Sequence, residues 1–233
     1  IVSLQLPAQG GPVSIRPATL KPGEYTAAVD GKTAASEFLE TTFGTARQIE
    51  DPGGRAIALA KVAHEYLRIG DGKALVALTE SVTAAEQRFN NTQNDTWLWF
   101  GNRFRREWPA SLMPVAEAIS TLEDRSIAES SLRILAVAGQ SGNAAHCSHL
   151  LANIGMTYGQ LGALGSATMS LERAENLAAE AWGEDRAIAL SRVSEAYLQI
   201  DRKADGARVL GYAISATNEL TDVRSRSAAV AEI

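Results

Sequence analysis

An all-α fold, built as a stack of antiparallel helix pairs behind a non-helical N-terminal arm, is predicted by three features of this sequence. From about Thr33 onward, Ala- and Leu-rich stretches carry apolar residues three and four apart, the period of an amphipathic helix. Gly, Asp, Asn and Pro separate the stretches at short intervals, and helices joined by loops of a few residues run antiparallel. One stretch also repeats another. Arg55-Ala56-Ile57-Ala58-Leu59 returns as Arg186-Ala187-Ile188-Ala189-Leu190, and Val62, Tyr66, Leu67 and Ile69 return as Val193, Tyr197, Leu198 and Ile200, so that 9 of 15 positions are identical. Unrelated amphipathic helices share apolar positions but rarely the same Arg, Tyr and Ile, which points to a duplicated unit.

Along the chain, residues 1–32 form the arm, because Pro7, Pro12, Pro17 and Pro22 with Gly10, Gly11 and Gly23 forbid a helix there. Short extended pieces lying on the first helices, or a linker from an upstream domain, both suit that composition. The helical region is 33–233. Its expected helices are 33–48, 55–69, 72–88, 110–122, 124–139, 143–161, 164–181, 185–201, 203–220 and 222–233. Asp51 before Pro52, Asp185 before Arg186 and Asp222 before Arg224 are expected N-caps. The chain opens on Ile1 and closes inside a fresh amphipathic segment, which reads as a piece of something longer, truncated at its C-terminus.

Composition bounds the partners. With 45% hydrophobic residues, 233 residues can bury a sizeable core. A net charge of -5 leaves the chain without the basic footprint that holds nucleic acid, and no apolar run is long enough for a membrane-spanning helix. The single cysteine, Cys147, fits a reducing compartment such as the cytoplasm, and is also compatible with an exported fragment that uses no disulfides.

A third copy of the unit carries Leu151, Ile154, Gly155, Tyr158, Gly162, Ala167, Leu171 and Ala174, and in type and spacing these residues resemble the helix-pair pattern of tetratricopeptide (TPR) repeats. In the Tyr197 copy the matching places hold Leu190, Val193, Ser194, Gly206, Leu210 and Ala213. The Tyr66 copy fits with a connection one residue shorter, which puts Ala74, Leu78 and Ser81 in the second helix. The step from Tyr158 to Tyr197 is 39 residues, longer than the family's usual 34, and the 92 residues from Tyr66 to Tyr158 break the register over about 90–140. The resemblance implies a right-handed α-solenoid whose first helices line a concave groove. Carried over by position, that groove holds His64, Arg68, His149, Met156, Ser191, Glu195 and Gln199. The lysine by which some TPR domains clamp a C-terminal carboxylate is missing, since Ala60, Ala152 and Ser191 stand at its place.

In the middle, Trp97, Trp99, Arg103, Arg105, Arg106 and Trp108 make a candidate second surface, because Trp and Arg dominate binding hot spots. The more economical reading packs Trp97, Phe100, Phe104 and Trp108, at roughly helical spacing, into the core. His146 and His149 lie three apart on one helix face, but His64 is the one other histidine and no second cysteine completes a metal set. His64-Glu65 has no second histidine at metalloprotease spacing, and Gly70-Asp71-Gly72-Lys73 lacks the rest of a phosphate loop. No catalytic residue, metal or cofactor is assigned. The expected function is a protein-interaction scaffold with a protein or peptide partner. The alternatives are an all-helical enzyme or ligand-binding domain with a pocket near the Trp segment, and a structural component of a larger assembly.

Overall fold

A computed structural model describes residues 31–91, 98–120, 122, 124–139 and 142–233. Among them the fold is all-α, as predicted, and ten helices follow one another: α1 (Gly31–Arg47), α2 (Pro52–Arg68), α3 (Lys73–Asn91), α4 (Leu98–Ser120), α5 (Arg125–Ala138), α6 (Ala144–Gln160), α7 (Leu164–Glu180), α8 (Gly183–Gln199), α9 (Lys203–Glu219) and α10 (Val223–Ala231). The arm expected over 1–32 lies outside the described residues, except that Gly31 and Lys32 already belong to α1.

Packing follows chain order with a second theme superimposed. Each of α2, α6 and α8 packs along the helix that follows it, and α2, α4, α6, α8 and α10 also pack each on the next to make one row. Ion pairs tie odd-numbered helices across the other side: Arg47 to Glu80 and Lys73 to Glu40 between α1 and α3, and Arg208 to Glu175 between α7 and α9. The core runs along the interior of these contacts, through Leu59, Tyr66, Leu78, Leu112, Ile119, Leu132, Leu151, Ile154, Leu171, Val193 and Tyr197.

The turn inside three of the pairs is one structure repeated. Gly70, Gly162 and Asp201 each take positive φ (65°, 74° and 61°) just past their helix. The next amide then donates to the carbonyl of the repeated tyrosine: Asp71 N to Tyr66 O at 2.9 Å, Ala163 N to Tyr158 O at 2.8 Å and Arg202 N to Tyr197 O at 2.9 Å. These 6→1 bonds satisfy carbonyls that a helix end leaves without a partner. Asp201 occupies the left-handed position as a residue type that tolerates it.

At the crossing of each pair, small residues allow close approach and the contact is repeated with the partners exchanged. A methyl group added to Gly155 of α6 would lie 2.7 Å from Cδ2 of Leu171 and 3.2 Å from Ala167 O. One added to Gly206 of α9 would lie 2.7 Å from Cδ2 of Leu198 and 3.2 Å from Ser194 O, so the glycine has changed helix while the geometry has not. Two turns further along, Ser148 of α6 donates to Ala174 O of α7 at 2.8 Å, whereas Ser81 of α3 donates to Ala56 O of α2 at 2.6 Å. The hydroxyl again sits on opposite helices at one crossing point. The Ser81 contact also fits the connection between α2 and α3 being one residue shorter.

Three sequence expectations change. The helix expected at 110–122 begins at Leu98 and runs 23 residues, with Pro109 and Pro114 inside it. Each proline removes one main-chain bond, and the helix persists because Trp108, Leu112, Val115, Ala116 and Ile119 are fully buried along one side of it. Asp185 is not an N-cap: α8 starts two residues earlier, which places Asp185 with Glu184 in its first turn, where carboxylates favour the helix dipole. Asp51 and Asp222 do cap, accepting from Gly54 N at 2.6 Å and Ser225 N at 2.7 Å. The helix expected at 72–88 runs from Lys73 to Asn91, three residues past its expected end.

Filling a crossing should cost more than the helix gains. Gly155→Ala and Gly206→Ala are each expected to lower stability by about 1–2 kcal/mol net, overpacking exceeding the gain in helix propensity. Gly211→Ala in α9, with nothing within 4 Å of the added methyl, is expected to raise it by about 0.5–1 kcal/mol. Urea midpoints of the three variants measure the contrast, and an unchanged midpoint for Gly155→Ala would place the close approach elsewhere.

Candidate functional site

The inward faces of α2, α6 and α8 are committed to packing, so the opposite faces are what the row of even-numbered helices offers outward. With a spacing of four, three and four residues, α2 presents Ile57, Lys61, His64 and Arg68, α6 presents His149, Asn153, Met156 and Gln160, and α8 presents Ile188, Arg192, Glu195 and Gln199, all of them partly or fully exposed. Among the described side chains of α4, the exposed ones are Glu107, Ala110, Pro114, Glu117 and Ser120.

Of the seven groove residues expected from sequence, His64, Arg68, His149, Met156, Glu195 and Gln199 stand on this stripe. Ser191 does not. It is 8% exposed, and its hydroxyl donates to Glu232 O at 2.6 Å, so that it fastens the end of α10 to α8. Lys61, Asn153 and Arg192 belong to the stripe and were missed, although each lies one turn before an expected residue and the helical period alone would have included it.

Charges at His64, Arg68, Arg192 and Glu195 of the stripe are paired locally. On α2, Glu65 accepts from Arg68 Nη1 at 2.9 Å and lies 3.1 Å from His64 Nδ1. On α8, Arg192 pairs with Glu232 and lies 3.4 Å from Glu195, which also accepts from Gln199 at 3.4 Å. Burial holds His149 below the ordinary imidazole range, and the positive charge of Arg192 and the neighbouring His146 press it the same way, against the opposing pull of Glu195 and Glu232. His149 is therefore a neutral ring at neutral pH.

The second surface expected around the Trp segment is only partly placed. Trp97 lies outside the described residues, and Trp99, Arg103, Arg105 and Arg106 sit on the first turns of α4. Trp108 is fully buried and Phe104 nearly so, with their rings stacked 6.2 Å apart and Phe89 set 5.2 Å from Phe104. Trp108 is thus a core residue and not part of a surface, because the Phe104-Trp108-Leu112 spacing points all three into the side of α4 that faces its neighbours.

Nucleophilic chemistry finds no support at His146 to His149. Cys147 is buried, which pushes its thiol up to about 12 and leaves no thiolate at neutral pH. Among the described residues, no three His, Cys, Asp or Glu side chains stand together to hold a metal, and no helix is long and apolar enough to cross a membrane. Two cavities lie at the other end, one of 360 Å³ between α1 and α2 and one of 260 Å³ bounded by Arg47, Arg55, Glu80 and Gln87. No protein-family model, curated protein or solved structure matches this chain.

The depressed His149 gives stability a pH slope. Below about pH 6.5 the unfolded chain takes up a proton that the folded chain refuses, so stability is full above that pH and falls as the solution is acidified toward the folded-state pKa. His149→Gln is expected to shrink the loss in urea midpoint between about pH 7.5 and pH 5.5. An unchanged loss would assign the slope to other groups.

Proposed function

We propose that this chain is a TPR-like α-solenoid and that it works as a protein-interaction scaffold, holding a partner segment along the outward stripe of its even-numbered helices. The observation that supports this reading is the row of contacts from α2 through α4, α6 and α8 to α10, along which, in this reading, stripe residues distant in sequence form one extended face. A repeat array builds such a face because each unit contacts only its neighbours and repeats their orientation. The stripe mixes imidazole, ammonium, guanidinium, carboxylate, amide and thioether groups, a surface suited to a peptide with both charged and apolar side chains. Binding on a face fixed by packing loses little ordering entropy on the scaffold side.

A photo-crosslinking residue placed at Met156, on the stripe, is expected to capture a partner that the same residue placed at Met169 does not. Met169 is 71% exposed but lies on α7, outside the even-numbered row. His149→Ala, Met156→Ala and Glu195→Ala combined are expected to weaken binding of the identified partner by about tenfold or more, the equivalent of roughly 1.4 kcal/mol. Equal capture at both positions, or undiminished binding by the triple variant, would remove the groove as the binding face.

A further inference from the structure

The 260 Å³ cavity is walled by three successive helices, with Arg47 from α1, Arg55 and Leu59 from α2, and Glu80, Ala84 and Gln87 from α3. Its charges do not cancel. Arg47 makes two bonds to Glu80, and its guanidinium lies 4.1 Å over the ring of Phe43, so that one cation and one carboxylate neutralise each other. Arg55 has no carboxylate partner among the described residues. Its Nη1 donates to Ile49 O at 3.0 Å and its Nη2 to Gln87 Oε1 at 2.7 Å, both of them neutral acceptors. Further N–H groups of the guanidinium remain to donate.

The repeated pair shows a different solution at the same place. Arg186 of α8 is the counterpart of Arg55, and with the connection between α2 and α3 one residue shorter, the counterpart of Gln87 is Glu219 of α9. There the chain supplies its own carboxylate, 3.7 Å from Arg186 Nη1. At Arg55 the arginine is kept while its counter-ion is replaced by an amide of the same length. Gln87 uses its carbonyl on Arg55, which leaves its NH2 as a donor beside the guanidinium. Donors therefore converge on one part of the cavity, and the buried Leu59 and Ala84 give it an apolar floor.

We infer that this cavity binds a monocarboxylate, whose carboxylate takes the place beside Arg55 and Gln87 that Glu219 holds beside Arg186. A guanidinium holds a carboxylate through short charge-assisted bonds, stronger than those it makes to neutral acceptors. The walls carry Arg47 and Arg55 against Glu80, so a single negative charge neutralises them. A dianion such as succinate would bring its second charge toward Glu80. The volume is below that of pockets for drug-sized ligands, which suits an acid with a short aliphatic chain lying on Leu59 and Ala84. Arg55 stands two residues before Ile57 and so on the opposite side of α2 from the outward stripe. The site is therefore separate from the face proposed for a partner, and its test does not depend on that reading.

Titration of the full 233-residue chain with butyrate, followed by the NMR signals of the Arg55 Nε–H and the Gln87 side-chain amide, tests this. Both signals are expected to shift and saturate with a dissociation constant on the order of millimolar, and succinate is expected to bind more weakly. Gln87→Glu, which restores the carboxylate of the repeated pair, and Arg55→Gln are each expected to weaken butyrate binding by about tenfold or more, read on the signal that each variant retains. Gln87 is exposed, so the circular dichroism of Gln87→Glu should match the parent and show that it folds. Lys203→Gln removes the same charge from an 81% exposed side chain on α9 and is expected to leave binding unchanged. N-acetyl-glutamate N-methylamide carries the same carboxylate on a peptide unit. Tighter binding of it than of butyrate assigns the site to an acidic side chain of a protein, weaker binding to a free acid, and both uphold the site. Shifts that grow without saturating, saturation that Gln87→Glu leaves intact, or equal weakening by Lys203→Gln overturns the inference.

Discussion

The distance of closest approach inside a helix pair governs the rest of this molecule. Two helices cross near contact only where one of them lacks a bulky side chain, and here the lack is supplied by Gly155 in one pair and by Gly206 in another, with a leucine of the opposite helix filling the space. Because the glycine can sit on either helix, the requirement belongs to the crossing and not to a residue. The buried hydroxyls follow the same logic. Ser148 and Ser81 donate from opposite helices to a carbonyl facing them, and a buried bond of this kind contributes about 1 kcal/mol while costing more if left unmade. Ser194, which donates to Gly206 O at 2.8 Å, adds a third such bond at the tighter crossing.

Ion pairs between odd-numbered helices cannot carry that task. Arg47 to Glu80, Lys73 to Glu40 and Arg208 to Glu175 all have side chains partly open to solvent, and exposed pairs contribute about 0–1 kcal/mol each. Their partners nevertheless lie a constant 33 residues apart. A constant separation in a molecule whose helices are mostly 17 residues long is what stacked pairs of equal size produce. The charges report the register that apolar packing has already set.

Much of this was legible in the sequence because the constraint that shapes the fold also shapes residue choice. Helix period, Tyr66, Tyr158 and Tyr197 with a turn residue four positions later, and small residues at the crossings are all local or regularly spaced signals, and the helices they predict agree with the structure to within about three residues, inside the boundary error such reading carries. The middle was harder for a physical reason. Proline is a helix breaker in isolation, and Pro109, just before the expected start at 110, hid the first half of α4, whose stability comes from contacts with distant helices that no local signal reports. Burial of Trp108 was visible as spacing but not as fact, since an aromatic at helical period serves a core or a surface equally well. Ser191 shows the same limit. Its position on α8 suggested the groove, and only the return of α10 across it, 41 residues later, shows that it is covered.

Rigidity along the outward stripe is unequal, and this bears on where a partner would find a prepared surface. On α8 the stripe is braced from a second helix, since Arg192 and Ser191 both bind Glu232 beyond the end of α10. Glu195 is then drawn toward Arg192 from one side and Gln199 from the other, leaving three successive turns with side chains already placed. On α2 the bonds among His64, Glu65 and Arg68 are internal to one helix, and long side chains there keep more of the rotamer freedom that binding would have to remove. Orientation by a neighbouring helix lowers that cost before any partner arrives. The α6–α8 end of the stripe, with neutral His149 and the flexible Met156 beside the braced carboxylate of Glu195, is accordingly the part where apolar contact and directed charge coincide.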